Sequence, residues 1–224
     1  MAAETMNLEK ARFNMIEQQI RPWNVLDPSV LRLLAIVKRE DFVPAAHRDL
    51  AFADVGLPIG AAAGQTMLPP KVEARILQEL TLKNTDIVLE IGSGTGYMAA
   101  LLAARVEYVY SVEIDAQLAA TARQNLERSA VANVTVEVGD GAQGWPAHAP
   151  YDVIVISAST PLLPAAMVNQ LKIGGRLAAI VGAAPAMQLQ IVTRTGEDAF
   201  ATVSVFETFV APLINAAAPS AFVF

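Results

Sequence analysis

From Asn7 to Leu80 the apolar residues recur three and four apart, and from Asp86 onward they gather into short runs separated by helical stretches. Phe13, Ile16 and Ile20 lie at helical spacing, with Asn7 placed to cap that first segment and Pro22 to end it. Asp27 followed by Pro28 opens a second helix, whose apolar face is Val30, Leu33, Leu34 and Val37. The run Arg39 to Pro44 closes it. A third helix starts at Pro69-Pro70 and carries Val72, Ile76 and Leu80 inward. Between the second and third helices, Ala51 to Pro70 has too little periodicity for regular structure, and a loop of that length inside a compact domain is usually functional or mobile.

The second pattern predicts strand Ile87-Ile91, helix Tyr97-Ala104, strand Tyr108-Ile114, helix Gln117-Ser129, strand Val134-Val138, strand Val153-Ser157, helix Pro164-Leu171 and strand Arg176-Val181. Such alternation is that of an α/β protein with a mainly parallel, doubly wound sheet and helices on both faces. After Gly182 two strands follow without a helix, Leu189-Thr193 and Thr202-Phe209, joined at Thr195-Gly196-Glu197-Asp198. They form a hairpin that ends the sheet in an antiparallel edge strand. One domain is expected, with residues 7–82 as a helical and loop cap on a core of residues 83–215. The tail from Ala216 ends apolar at Phe222-Val223-Phe224 and is either a disordered end or a segment docked on a neighbour.

Ile87 to Ala104 is the most informative stretch. A β-branched run breaks into Gly92-Ser93-Gly94-Thr95-Gly96 and resumes as an alanine- and leucine-rich helix. Glycines at a strand-to-helix turn permit positive φ and let a ligand lie against bare backbone, while the helix start offers unpaired N–H groups. A dinucleotide fingerprint needs glycine at its sixth position, and here that position is Tyr97. Glu90 stands just before the turn, and a second acid, Glu113, ends the next strand, where it is placed to accept both hydroxyls of a ribose. A ribose-bearing ligand without a pyrophosphate fits this set best. Gly139-Asp140-Gly141 follows the third strand, and its acid can take the exocyclic amine of an adenine. Ser157, Ala158 and Ser159 end the fourth strand at the same edge, where ligands of open α/β sheets bind.

Composition removes several alternatives. At 224 residues and 54% hydrophobic content the chain can bury one sizeable core, and a net charge of −6 carries no basic stripe for nucleic acid. The absence of cysteine excludes a thiol nucleophile, a disulfide framework and zinc ribbons, and points to the cytoplasm. No signal segment or membrane span is legible, and neither nucleic acid nor membrane is an expected partner. Two histidines, His47 and His148, stand in loop-like contexts, so no metal site and no role for either is assigned.

The glycine turn with its following acid resembles the first motifs of class I S-adenosylmethionine-dependent methyltransferases. More specifically, the chain from about Leu31 to Leu213 resembles the protein-L-isoaspartate O-methyltransferase family. The resemblance rests on Lys38-Arg39-Glu40-Asp41-Phe42-Val43-Pro44, Leu57-Pro58-Ile59-Gly60 with Gly64-Gln65-Thr66, Val88 through Tyr97, Gly139-Asp140-Gly141, Gln170 through Gly175, and Phe209-Val210-Ala211-Pro212-Leu213. It implies a Rossmann-like fold, S-adenosyl-L-methionine as cofactor and methyl transfer to the α-carboxylate of isoaspartyl residues in proteins or peptides. It also implies Glu90, Gly92, Ser93, Gly94, Gly96, Glu113, Ile114, Asp140, Gly141 and Ser157 on the cofactor, with Thr66 and Leu68 at the acceptor. At one point the chain departs from the family pattern, which places a serine where Leu68 stands. A leucine cannot hydrogen-bond a carboxylate. That leaves an isoaspartyl enzyme tolerating Leu68, a relative methylating another small or peptidic acceptor, or a non-catalytic cofactor binder.

Overall fold

The computed structural model describes residues 2–217. The expectation for the tail therefore falls mostly outside the described residues.

Helix α1 (Ala2–Met15) runs on as a π-helical stretch to Ile20 and a 3-10 turn over Arg21–Trp23. Asn7 lies inside this helix rather than at its start, because the residues before it are also helical. Ile16 and Ile20 are buried as expected, whereas Phe13 is 62% exposed and Met15 takes the inward position. Helix α2 (Pro28–Ile36) begins as the sequence predicts, with the Asp27 side chain accepting from Ser29 N–H and Pro28 in the first turn. The following loop contains two short antiparallel strands, β1 (Leu57–Pro58) and β2 (Thr66–Met67). Helix α3 (Pro70–Leu80) buries Val72, Ile76 and Leu80 completely.

The remaining elements are β3 (Ile87–Ile91), α4 (Tyr97–Ala103), β4 (Tyr108–Glu113), α5 (Ala116–Arg128), β5 (Val134–Val138), β6 (Tyr151–Thr160), α6 (Ala165–Val168), β7 (Leu171–Ala183), β8 (Ala186–Arg194) and β9 (Phe200–Glu207). They form one sheet in the order β5-β4-β3-β6-β7-β8-β9. The first five are parallel neighbours, β8 runs opposite to β7, and β9 pairs antiparallel with β8 at the edge. Strand order reverses at β3, so the crevice beyond its carboxyl end, between the connections to β4 and β6, is where an open α/β sheet receives ligands.

Alternation along the strands divides the core. Val88, Val109, Val153, Val155 and Ile180 join α3, α4 and α5 on one face, while Leu89, Ile91, Val112, Ile154 and Ile156 join Met167 of α6 on the other. The helical cover is uneven: the second face has the short α6, with Trp145 and Tyr151 filling beside it. Helix α6 is half the length expected from Pro164 to Leu171, and Pro164 is its N-cap residue rather than the first helical one. The N-terminal helices pack into the first core, so they cover the face onto which Glu90, two residues along from Val88, also projects.

Candidate active site

The glycine turn joins β3 to α4 with Gly92, Gly94 and Gly96 all at positive φ, 92°, 52° and 86°. A Cβ on Gly94 would sit 2.9 Å from Ile59 Cδ1, which shows that the β1–β2 loop lies directly over the turn. A Cβ on Gly96 would press to 3.2 Å on the Ala122 carbonyl, so this glycine serves close packing of α4 on α5.

Of the three acids expected on the cofactor, only Glu90 lines the cavity at the turn; Glu113 and Asp140 stand outside that lining. Glu90 is fully buried, and its carboxylate accepts from Ser111 Oγ at 2.6 Å and Ser157 Oγ at 2.9 Å. Burial, with smaller help from the charges of Glu113 and Glu73, pushes its pKa to about 8 against those two hydrogen bonds. Its hydrogen-bond donors are both neutral, so a ligand ammonium would be its natural counter-ion. Glu113 is held by backbone, with Oε2 accepting from Gly94 N–H at 2.9 Å and Oε1 from Asp115 N–H at 3.1 Å. The second acid thus lies across the glycine turn, and Ile114 follows it in a half-buried bend. Asp140 is exposed at the end of β5, its Oδ1 accepting from Ala142 N–H and its Oδ2 from Asn215 Nδ2, each at 2.9 Å. Gly141 beside it is buried, because a Cβ there would strike Ile91 at 2.8 Å.

Ser93 is buried and hydrogen-bonded to Ser111, so its hydroxyl faces the sheet. Ser157 lines the cavity. Ser159 does not: its Oγ donates to the Val210 carbonyl and its N–H to the Ala211 carbonyl, so it ties down the C-terminal segment instead of bordering a reacting group.

Thr66 and Leu68 belong to two cavities at once. On one side lies a narrow cavity lined also by Ile59, Glu73, Glu90, the glycine turn and Ser157. On the other lies an apolar groove of about 400 Å³ between Thr66–Pro69 and Phe209–Pro212. The segment Thr66–Pro69 is the wall between them. Leu68 is 5% exposed, whereas Thr66 is exposed.

Several residues here escaped sequence reasoning. Gln65 bridges the loop to the start of α5, with Nε2 donating to Asp115 Oδ2 at 2.8 Å and Oε1 accepting from Ala62 N–H. Ser111 was findable, since parallel register sets it beside Glu90. Glu73 and Asn215 carried no motif signal. Among the described residues no group of His, Cys, Asp and Glu could hold a metal ion, and no helix is long and apolar enough to cross a membrane.

A family model described as protein-L-isoaspartate(D-aspartate) O-methyltransferase matches residues 10–218. The chain belongs to that family. A Pelobacter propionicus protein named protein-L-isoaspartate O-methyltransferase 2 is 44% identical over 94% of this chain and 93% of its own length. A Geotalea uraniireducens protein named protein-L-isoaspartate O-methyltransferase 1 is 41% identical over 94% and 96%. Among solved structures, a Plasmodium falciparum protein described as a protein-L-isoaspartate O-methyltransferase in complex with S-adenosyl-L-homocysteine superposes with a TM-score of 0.77, at 19% identity over 89% of this chain and 96% of that one. That likeness shows the fold, a mainly parallel sheet flanked by helices.

Proposed function

We propose that this chain methylates the α-carboxylate of isoaspartyl residues in proteins or peptides, with S-adenosyl-L-methionine as donor. The observation that carries the reading is the wall at Thr66–Pro69, which separates a cavity lined by Glu73, Glu90 and the glycine turn, at the switch point of the sheet, from an apolar groove. A donor on one side and an acceptor on the other would meet across it.

The residues present fit the cofactor. Glu90 is buried with only hydroxyl donors, which suits an ammonium; Glu113 is fixed by backbone where a ribose would rest; Asp140 and the buried Gly141 suit an adenine. Gly92, Ser93, Gly94 and Gly96 supply the turn, and Ile114 and Ser157 its borders. When bound, the cofactor supplies a methyl on a positively charged sulfur, so that a carboxylate oxygen forms the C–O bond as the C–S bond breaks and a neutral thioether leaves. No proton moves. An isoaspartyl carboxylate is already ionised at neutral pH, which agrees with a site whose acids are spent on binding. The chain's work is to hold two groups in line and exclude water, and the β1–β2 loop over Gly94 and the Thr66–Pro69 wall are the parts placed to do so.

Residues 7–82 then act as the cap that supplies loop and wall, and residues 83–215 as the cofactor core. A second reading, methyl transfer to a different small or peptidic acceptor, is favoured by one observation: Leu68 brings no hydroxyl to the wall. Methyl-transfer assays with isoaspartyl, aspartyl and unrelated acceptors separate the two.

A further inference from the structure

The run Lys38 to Pro44 is prominent in the sequence, yet none of its residues lines the cavity at the turn. Arg39 within it is fully buried. Its Nη2 donates to the Leu68 carbonyl at 2.8 Å, its Nη1 pairs with Glu73 Oε2, and its guanidinium carbon lies 5.1 Å from the centre of the Tyr97 ring. Each partner belongs to a different part of the site. Leu68 is the wall, Glu73 is in the first turn of α3, and Tyr97 is the first helical residue after the glycine turn.

We infer that Arg39 is a positioning residue that holds the Leu68 backbone in register with the glycine turn, and so sets how an acceptor meets the donor; the inference rests on the methyl-transfer reading above. Only a planar fork does this. One edge gives two donors to two acceptors while the flat face lies on an aromatic ring, whereas a lysine is a single point charge. Without the guanidinium the Leu68 carbonyl loses its charged donor and the wall is free to shift. Displacements of about 1 Å at a reacting centre cost roughly 100-fold in rate.

Removing Arg39 alone would strand the Glu73 carboxylate in the core, so the first variant replaces the pair, Arg39→Met with Glu73→Leu, because an apolar pair of similar volume is tolerated where a lone buried charge is not. The second is Arg39→Lys. For both, S-adenosylhomocysteine affinity, kcat and KM on an isoaspartyl peptide, and hydrogen exchange over residues 64–72 and 87–97 are measured. The double variant is expected to lose roughly 10- to 100-fold in kcat and to exchange faster over 64–72 but not 87–97, and Arg39→Lys, which leaves Glu73 in place, to keep cofactor affinity within about twofold. Arg39→Lys, which keeps the charge beside Glu73 but cannot also reach Leu68 in the same geometry, should fall between, and it decides the matter if the double variant does not fold. Unchanged kcat with unchanged exchange at 64–72 overturns the inference. So does a loss of cofactor affinity and exchange protection shared equally by both segments, the mark of a general core role. If the unmodified chain methylates no isoaspartyl peptide, the functional reading fails, and exchange at 64–72 alone still decides the role of Arg39.

Discussion

The two sides of the Thr66–Pro69 wall are built by different physics. On the cofactor side the three acids are each fixed: Glu113 by two backbone N–H groups, Glu90 by two serines, Asp140 by Ala142 N–H and Asn215. On the acceptor side the groove is lined by Gly56, Met67, Leu68, Pro69, Phe209, Val210, Ala211 and Pro212, with Thr66 the one hydroxyl. A preorganised polar site recognises one ligand closely, because each fixed acceptor left unmade is costly. An apolar groove grips by area and discriminates weakly, which suits a segment of varied sequence around one altered residue.

The largest expected effect removes a fixed acid. Glu113→Ala should weaken S-adenosylhomocysteine binding about 10- to 150-fold, corresponding to roughly 1.5–3 kcal/mol for hydrogen bonds to a charged group. Calorimetry showing unchanged affinity would place the ribose elsewhere. Next, Leu68→Ser carries polarity across the wall, and kcat/KM on an isoaspartyl peptide should rise about 10- to 100-fold with cofactor affinity unmoved. No gain would mean that the wall is shaped for an apolar acceptor. On the groove side, Phe209→Ala should raise the acceptor KM only about fivefold, the equivalent of roughly 1 kcal/mol of apolar contact, and leave kcat alone. A fall in kcat instead would give the groove a share in fixing geometry.

A further effect appears in stability rather than in rate or affinity. Glu90 has a folded pKa of about 8 against an ordinary 4.5, so its protonated form stabilises the fold below pH 4.5 and that contribution is lost as pH rises toward 8. Glu90→Gln should therefore raise Tm more at pH 8.5 than at pH 5, by an amount on the order of 10 °C, while weakening cofactor binding. A thermal-shift series with no pH-dependent difference would show Glu90 ionised in the free protein.

The same contrast explains what was legible in the sequence. Strands β3 and β5 matched their predicted bounds residue for residue, β3 as a mostly buried apolar run and β5 as an edge strand whose valines alternate with Thr135 and Glu137. The sheet's later strands, β6 and β7, extend well past their apolar cores because backbone pairing continues where side chains turn polar. The positions of Glu90, Glu113 and Asp140 at the carboxyl edge of the sheet were readable because each lies at or within two residues of a strand end. Arg39, Glu73 and Asn215 were not: their partners lie 29, 34 and 75 residues away, and no local pattern records such contacts. Phe13 misled the helix reading, since helical spacing identifies a face without saying whether anything covers it.

Transfer of a labelled methyl group from S-adenosylmethionine to an isoaspartyl peptide and to its normal aspartyl counterpart, with cofactor binding confirmed in the same preparation, tests the proposed activity most directly. The expected result is a base-labile methyl ester on the isoaspartyl peptide and none on the aspartyl one. Cofactor binding without ester on the isoaspartyl peptide, or equal labelling of both, would contradict it.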